Sequence, residues 1–273
     1  MTVVVRRPGA PLAGLVTEMV YRTGEQSRTS VEKILPGPDT GLWVNLNRDA
    51  FRSFSGGRVH QVPGAMISGP TGRASVIEFE EGHAHVSVTF ALGAAPCFIA
   101  PPLALLRDDL VPVEAVCGGG GSGSGVLLRE RLLKAASPGD ALAVMEDFLI
   151  GQMVDSVCPD PAVIAAARAL ARGSRVDEVA ERLGLLPRTL RRRFAAQVGL
   201  SPKRFGRVQR LQRVVRGLDG WAQVDWADTA ARHGYCDQAH LADEFRDLAG
   251  VTPAGYLRSR VNGPNHLRFD VFS

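Results

Sequence analysis

Val179-Ala180-Glu181-Arg182-Leu183-Gly184-Leu185 is answered fifty residues later by Thr229-Ala230-Ala231-Arg232-His233-Gly234-Tyr235. After one inserted residue the offset becomes 51. Leu190, Phe194, Gly199, Ser201, Pro202 and Phe205 then align with Leu241, Phe245, Gly250, Thr252, Pro253 and Tyr256. A one-residue shift inside a kept pattern belongs in a turn, where chain length can vary. Each copy reads as a short helix, a glycine tolerating φ > 0 and a second helix, which is a helix-turn-helix. Residues 186–216 of the first copy hold ten Lys/Arg and no Asp or Glu. Two such units in tandem, one strongly basic, point to DNA.

The first copy supplies its own signals. Pro161–Arg172 is an Ala-rich helix with Ile164, Ala167 and Leu170 facing inward. Ser174 stands three residues before Asp177, an acidic version of the capping box, and Val176, Val179, Ala180 and Leu183 give the next helix its apolar stripe. Gly184 ends that helix, and Pro187 opens the second where a missing N–H costs little. With Leu190 and Phe194 buried, a 100° step aims Arg188 and Arg192 away from the core, with Arg191 flanking them. Arg193 lies nearer the buried side, within reach of a phosphate at the rim. Three outward arginines suit guanine O6 and N7 in a major groove, and the bland alternative is a solvated basic face.

Gly199-Leu200-Ser201-Pro202 caps a long helix carrying Phe205, Val208, Leu211, Val214 and Val215, long enough to connect the units. Lys203, Arg204, Arg207 and Arg210 on it are phosphate contacts or merely solvated, and the pattern leaves both open. In the second copy Leu241 and Phe245 form the core pair, so Ala239, Asp243 and Arg246 face outward, and Asp243 stands where the first copy has Arg192. Gln238 and His240, at the helix start, are placed to touch a base edge or backbone. The first unit is therefore expected to read bases and the second mainly to position the protein.

Gly234-Tyr235-Cys236-Asp237-Gln238-Ala239-His240-Leu241, with Phe245 and Gly250-Val251-Thr252-Pro253-Ala254-Gly255-Tyr256, resembles the signature of AraC/XylS-type transcription regulators. Leu183-Gly184, Arg188-Thr189-Leu190-Arg191-Arg192-Arg193-Phe194 and Gly199-Leu200-Ser201-Pro202 match the same family, so the resemblance spans about residues 160–260. It implies two helix-turn-helix units joined by one long helix and entering successive major-groove segments. Leu186 departs from the usual Ser or Thr cap, and Asp243 from the usual Arg. Residues 1–115 more faintly resemble an N-terminal domain found on some of these regulators, through Arg7-Pro8, Pro11-Leu12 and Ile34-Leu35-Pro36-Gly37-Pro38. That likeness implies effector sensing or dimerisation and names no ligand.

The remaining chain is different in texture. At 273 residues there is room for about two domains. Residues 160–260 hold 18 Lys/Arg against 11 Asp/Glu, while the rest holds 14 against 17, so the positive field is C-terminal. Arginine dominates, with only Lys33, Lys134 and Lys203 as lysines, which suits phosphate and guanine or reflects a GC-rich genome. Strands are expected at Val16–Tyr21, Ser30–Leu35, Leu42–Asn47, Ala65–Ser68, Ala74–Phe79 and Ala84–Phe90. In Ala84–Phe90 alternation sets Val86, Val88 and Phe90 against His85, Ser87 and Thr89, a half-buried strand. Helix is expected from Pro101, first around Leu103, Leu106 and Leu110, then around Leu128, Leu132 and Leu133, then from Asp140 with Leu142, Met145, Phe148 and Leu149. Gly118–Gly125 reads as a flexible Gly/Ser tether, and Asp155–Pro161 as the domain boundary.

The expected fold is thus α+β and two-domain. A barrel- or sandwich-like N-terminal domain with a helical extension occupies 1–153, and an all-α double helix-turn-helix occupies 158–262. DNA contact is expected from Arg188, Thr189, Arg191, Arg192, Arg193, Lys203, Gln238, His240 and Arg246. Expected partners are double-stranded DNA, a small-molecule effector and a second copy through the N-terminal domain. No signal peptide, membrane span or cofactor is expected, which places the protein in a bacterial cytoplasm. His83 and His85, with Glu78, Glu80 and Glu81 nearby, invite a metal site but lack a third placed ligand, so a polar turn is favoured. Cys97, Cys117, Cys158 and Cys236 form no Cys-x-x-Cys pair, and neither Cys97 nor Cys158 has an adjacent His or Arg to activate a thiol. A metal or thiol enzyme and a non-specific architectural DNA binder are the readings set aside.

Overall fold

Eleven strands and nine α-helices are formed in the computed structural model, which describes residues 2–24, 29–55, 58–117, 123–154, 157–218, 224–261 and 263–269. One antiparallel sheet runs in the order β1 (Thr2–Arg6), β2 (Val16–Thr23), β9 (Ala84–Phe90), β4 (Gly41–Asn45), β7 (Ala65–Ser68) and β10 (Leu110–Pro112). The other runs β11 (His266–Arg268), β3 (Ser30–Ile34), β8 (Ser75–Phe79), β5 (Ala50–Ser55) and β6 (Arg58–Pro63). The two sheets make an open sandwich, and the expected alternative of a closed barrel does not form.

Alternation decides which side chains meet which layer. On the first sheet Leu42, Val44, Ile67, Val86, Val88 and Phe90 pack with α1 (Ser124–Leu133) and α2 (Pro138–Gln152), through Leu128, Leu132, Leu142, Met145 and Leu149. The opposite face presents Trp43, Met66 and His85 to Phe51 and Ile77 of the second sheet. Strand β9 is therefore covered on both sides: His85 and Ser87 are buried and only Thr89 of that face is half-buried, so the half-buried expectation is corrected. A second sheet covers what looked like a solvent face.

Three further differences have local causes. Leu103, Leu106 and Leu110 do not share a helix. Leu103–Leu106 is a single 3₁₀ turn, and Leu110 belongs to β10, paired with Ser68. Asp108, at φ +60, turns the chain between them. The end of the Gly/Ser tract is structure rather than tether: Ser124 and Gly125 open α1, with Gly125 N donating to Glu114 Oε1 at 2.8 Å. Residues 118–122 of the tract lie outside the described residues. Strands β1, β5, β6, β10 and β11 were not anticipated.

The C-terminal helices are α3 (Pro161–Ala171), α4 (Val176–Arg182), α5 (Pro187–Val198), α6 (Pro202–Gly217), α7 (Trp226–Arg232), α8 (Gln238–Ala249) and α9 (Pro253–Ser259). Val163, Leu170, Leu190, Phe194, Phe205, Val208, Leu211, Phe245 and Tyr256 form one core, and Leu35 and Leu267 from the sandwich layers enter it. Ser201 caps α6 by accepting from Arg204 N, and Thr252 caps α9 by accepting from Gly255 N. Both cap residues belong to the repeat. Helix α4 begins one residue later than expected: Arg175 is its N-cap, and Glu178, not Asp177, accepts the Arg175 N–H.

The sandwich grips the helical part at several points. Gln197 on α5 donates to Gly93 O, Gln212 on α6 to Pro36 O, and Arg204 to Gly72 O. Ala74 N donates to Leu248 O on α8, and β11 joins β3 after the chain has left α9. Gly199 ends α5 at φ +78, where an added Cβ would lie 2.3 Å from Pro70 Cγ and 2.9 Å from Leu103 O. Gly184 has a similar φ of +64 but open space around it. Gly199→Ala should therefore cost ~2–4 kcal/mol and Gly184→Ala only ~1–2 kcal/mol, as left-handed strain is common to both and the clash is not. Urea unfolding midpoints of the two variants check the difference.

Candidate nucleic-acid interface

Helices α5 and α8 are the second helices of the two units, and each is ended by a glycine in the left-handed region, Gly199 and Gly250. Leu190 and Phe194 bury one face of α5, and Leu241 and Phe245 the matching face of α8. Between the units lies a groove of about 1010 Å³. Its walls include Arg191 of α5 and His240 and Asp243 of α8, and its floor Lys203, Gly206 and Arg210 of α6. The outer faces of both second helices thus border one basic concavity.

The structure sorts the basic residues by what they already hold. Arg188, Arg191 and Arg192 are exposed, and no described residue gives them an ion pair or side-chain hydrogen bond. Lys203 is likewise exposed and unpaired among the described residues. Thr189 is half-buried, and Gln238 is exposed at the first turn of α8. Arg193 is held by Asp160, whose carboxylate accepts from its Nε at 2.6 Å. Arg246 pairs with Asp243 at 2.9 Å, so each offsets the other's charge on the outward face of α8. His240 is engaged locally: its Nδ1 accepts from Cys236 N, and its ring meets that of Tyr235 edge-on.

Three arginines on α6 have an internal task that spacing did not disclose. Glu244 of α8 is 4% exposed and accepts from Arg207 Nε at 2.9 Å and from Arg210 Nε and Nη2 at 3.0 and 2.9 Å. Arg207 and Arg204 also reach Asp247, at 2.7 and 2.9 Å. Burial opposes the charge of Glu244, yet Arg210 and Arg207 outweigh it and hold the carboxyl below its usual range. The Arg210 guanidinium further stacks 4.5 Å over the Tyr235 ring. These residues join α8 to α6. The signal was available as Glu244 and Asp247 three apart on α8, but only the fold shows which arginines face them.

The sandwich holds a second concavity, of about 320 Å³, between its two sheets. His83 Nε2 lies 3.0 Å from His85 Nδ1 at its wall. Burial first, then His83 and Arg22, push His85 down to about 3, so its imidazole is neutral at ordinary pH. No group of three or more His, Cys, Asp or Glu placed to hold a metal occurs among the described residues. Cys97 and Cys117 are buried, and burial pushes the Cys117 thiol up to about 11.

A helix-turn-helix domain family matches residues 164–259, the stretch that carries both units and their quoted motifs. The chain is a DNA-binding transcriptional regulator whose helix-turn-helix motifs resemble those of the AraC/XylS type. The N-terminal part of this regulator, residues 5–112, matches a family described as a domain of unknown function. Among solved structures, the regulator is similar to ToxT from Vibrio cholerae, with 11% identity and a TM-score of 0.47 over 87% of this chain and 98% of that one. ToxT with bound unsaturated fatty acid gives 9% and 0.43 over 84% and 94%. The AraC-like transcriptional activator CuxR gives 13% and 0.25 over 77% and 86%. No curated protein sequence matches the chain. No described helix is long and apolar enough to cross a membrane.

Glu244→Ala should destabilise the regulator by about 3 kcal/mol, because it leaves two half-buried guanidiniums facing each other. A carboxyl held low in the fold stabilises fully above its unfolded pKa and loses that contribution as pH falls through the folded value. Wild-type stability should therefore fall on acidification below the ordinary glutamate range. Thermal melts across pH should show a shallower acid slope for Glu244→Gln.

Proposed function

We propose that α5 reads bases in one major-groove segment through Arg188, Arg191 and Arg192, while α8 seats the protein on the next. The carrying observation is the division among the arginines. These three, alone on the outward face of α5, have no partner among the described residues, whereas Arg193, Arg204, Arg207, Arg210 and Arg246 are engaged internally. A guanidinium without an internal partner is free to present its planar fork to guanine O6 and N7. Lys203 and Thr189, with Gln238 and His240 at the start of α8, then serve the phosphate backbone. Arg193 and Arg246 keep that role only by exchanging Asp160 and Asp243 for phosphate.

Residues 158–262 are taken as the DNA-binding domain and 1–153 as a sensing and dimerising domain, in a cytoplasmic one-component regulator. The inter-sheet cavity is the effector site in this reading, since it lies in the size range of small-molecule pockets. Dimerisation has a candidate surface in β1, an edge strand on which Val3 and Val5 are exposed. No enzymatic step is assigned. The buried thiols of Cys97 and Cys117 are both pushed up by burial, the wrong direction for a nucleophile.

Arg192→Ala should lower affinity by ~1–3 kcal/mol and relax selectivity at one base pair, while Lys203→Ala should weaken all duplexes alike and reduce the salt slope by about one. Fluorescence anisotropy on a panel of single-substitution duplexes at two salt concentrations separates the two. Equal losses on every duplex for Arg192→Ala would make it a phosphate contact and sink the reading of α5.

A further inference from the structure

The inter-sheet cavity has a chemistry of its own. Its lining includes an apolar and aromatic patch of Trp43, Phe51, Met66, Ile77 and Phe79. Among the described residues lining it there is no lysine or arginine, yet there are four carboxylates: Asp39, Glu78, Asp108 and Asp109. Three of these have work already. Glu78 is bound by Arg52, Asp108 accepts from Gly72 N and Arg73 N, and Asp109 accepts from Leu110 N.

Asp39 is different, because no described residue donates to it. Asp39 is exposed and lines the cavity. Loss of hydration pushes its carboxyl up, with Arg216 pulling the other way and Glu18 adding to the rise. Asn265 also lines the cavity.

We infer that this cavity binds an organic amine as its ammonium, with the apolar or aromatic body between the two sheets and the charged end at Asp39. The inference rests on the reading of the cavity as the effector site. A carboxylate ligand would enter a cavity whose lining holds four carboxylates and no lysine or arginine, and a buried unpaired anion is strongly disfavoured. An ammonium finds the opposite: a carboxylate without a partner and aromatic faces on which a cation is attracted to the ring. The occupant would also touch the C-terminal tail. Asn265 and His266 line the cavity, His266 Nδ1 lies 2.7 Å from Glu32 Oε2, and the next residue, Leu267, is buried in the core shared with the helix-turn-helix units.

Three probes of equal size separate the possibilities: 3-phenylpropylamine, 3-phenylpropanol and 3-phenylpropionate, titrated calorimetrically into the full-length protein. The amine should bind, the alcohol at least fivefold more weakly, and the carboxylate not at all. Asp39→Asn should weaken the amine about tenfold and leave the alcohol unchanged, with an unliganded melting temperature close to wild type. Ser68→Trp, which projects into the cavity, should abolish amine binding. Preference for the carboxylate, or an amine affinity indifferent to Asp39, would overturn the ligand class while leaving the cavity as a site. Binding that survives Ser68→Trp in a folded protein, or no binding by any of the three, would overturn both.

Discussion

A carboxylate buried between two guanidiniums sets the geometry of the DNA-binding half. Glu244 sits almost without solvent on α8, and Arg207 and Arg210 of α6 close on it from one side. Charges taken out of water must be paired with good geometry or they are strongly destabilising. The clasp therefore permits few arrangements of α8 against α6. The first unit is fixed to the same beam by apolar packing, with Phe194 of α5 edge-on to Phe205 of α6 at 5.2 Å. Two second helices held to one helix have a set spacing, which is what the proposed seating on successive groove segments requires.

The sandwich adds a second set of constraints to that beam. It bonds to α5 through Gln197, to α6 through Gln212 and Arg204, and to α8 through the backbone of Ala74. The tail after α9 then returns as β11 and closes the second sheet. The sandwich is thus bonded to both units and not to one alone. In the proposed reading these hydrogen bonds and the shared core link the cavity in the sandwich to α5 and α8. A ligand uses it only through a difference in affinity between two arrangements.

Much of the helical part was legible because its signals are local. Ser201 and Thr252 cap helices, Pro187 and Pro253 open them, and Gly199 and Gly250 end them, each by contacts within a few residues. The sandwich was legible where β-branched runs alternate, as in Ala65–Ser68 and Ala84–Phe90, which the structure places at those bounds. It was opaque where pairing is the cause. Arg58–Pro63 is largely exposed and polar, and His266–Arg268 is three residues long, so only their partners β5 and β3 make them strands. The candidate interface shows the same limit. Helical spacing correctly puts Arg188, Arg191 and Arg192 on an exposed face, but which arginines are already engaged depends on acids far away in sequence, such as Asp160 and Glu244.

The central claim is that α5 reads sequence while the rest of the molecule holds it in register on DNA. In-vitro selection from random duplexes with the full-length protein, followed by footprinting of the enriched site, tests it most directly. The account predicts an enriched sequence with its strongest base preferences in one major-groove segment, inside a protected region of about two helical turns on one face. Salt-sensitive retention of DNA with no enriched sequence would contradict it, because backbone contact alone would then account for binding.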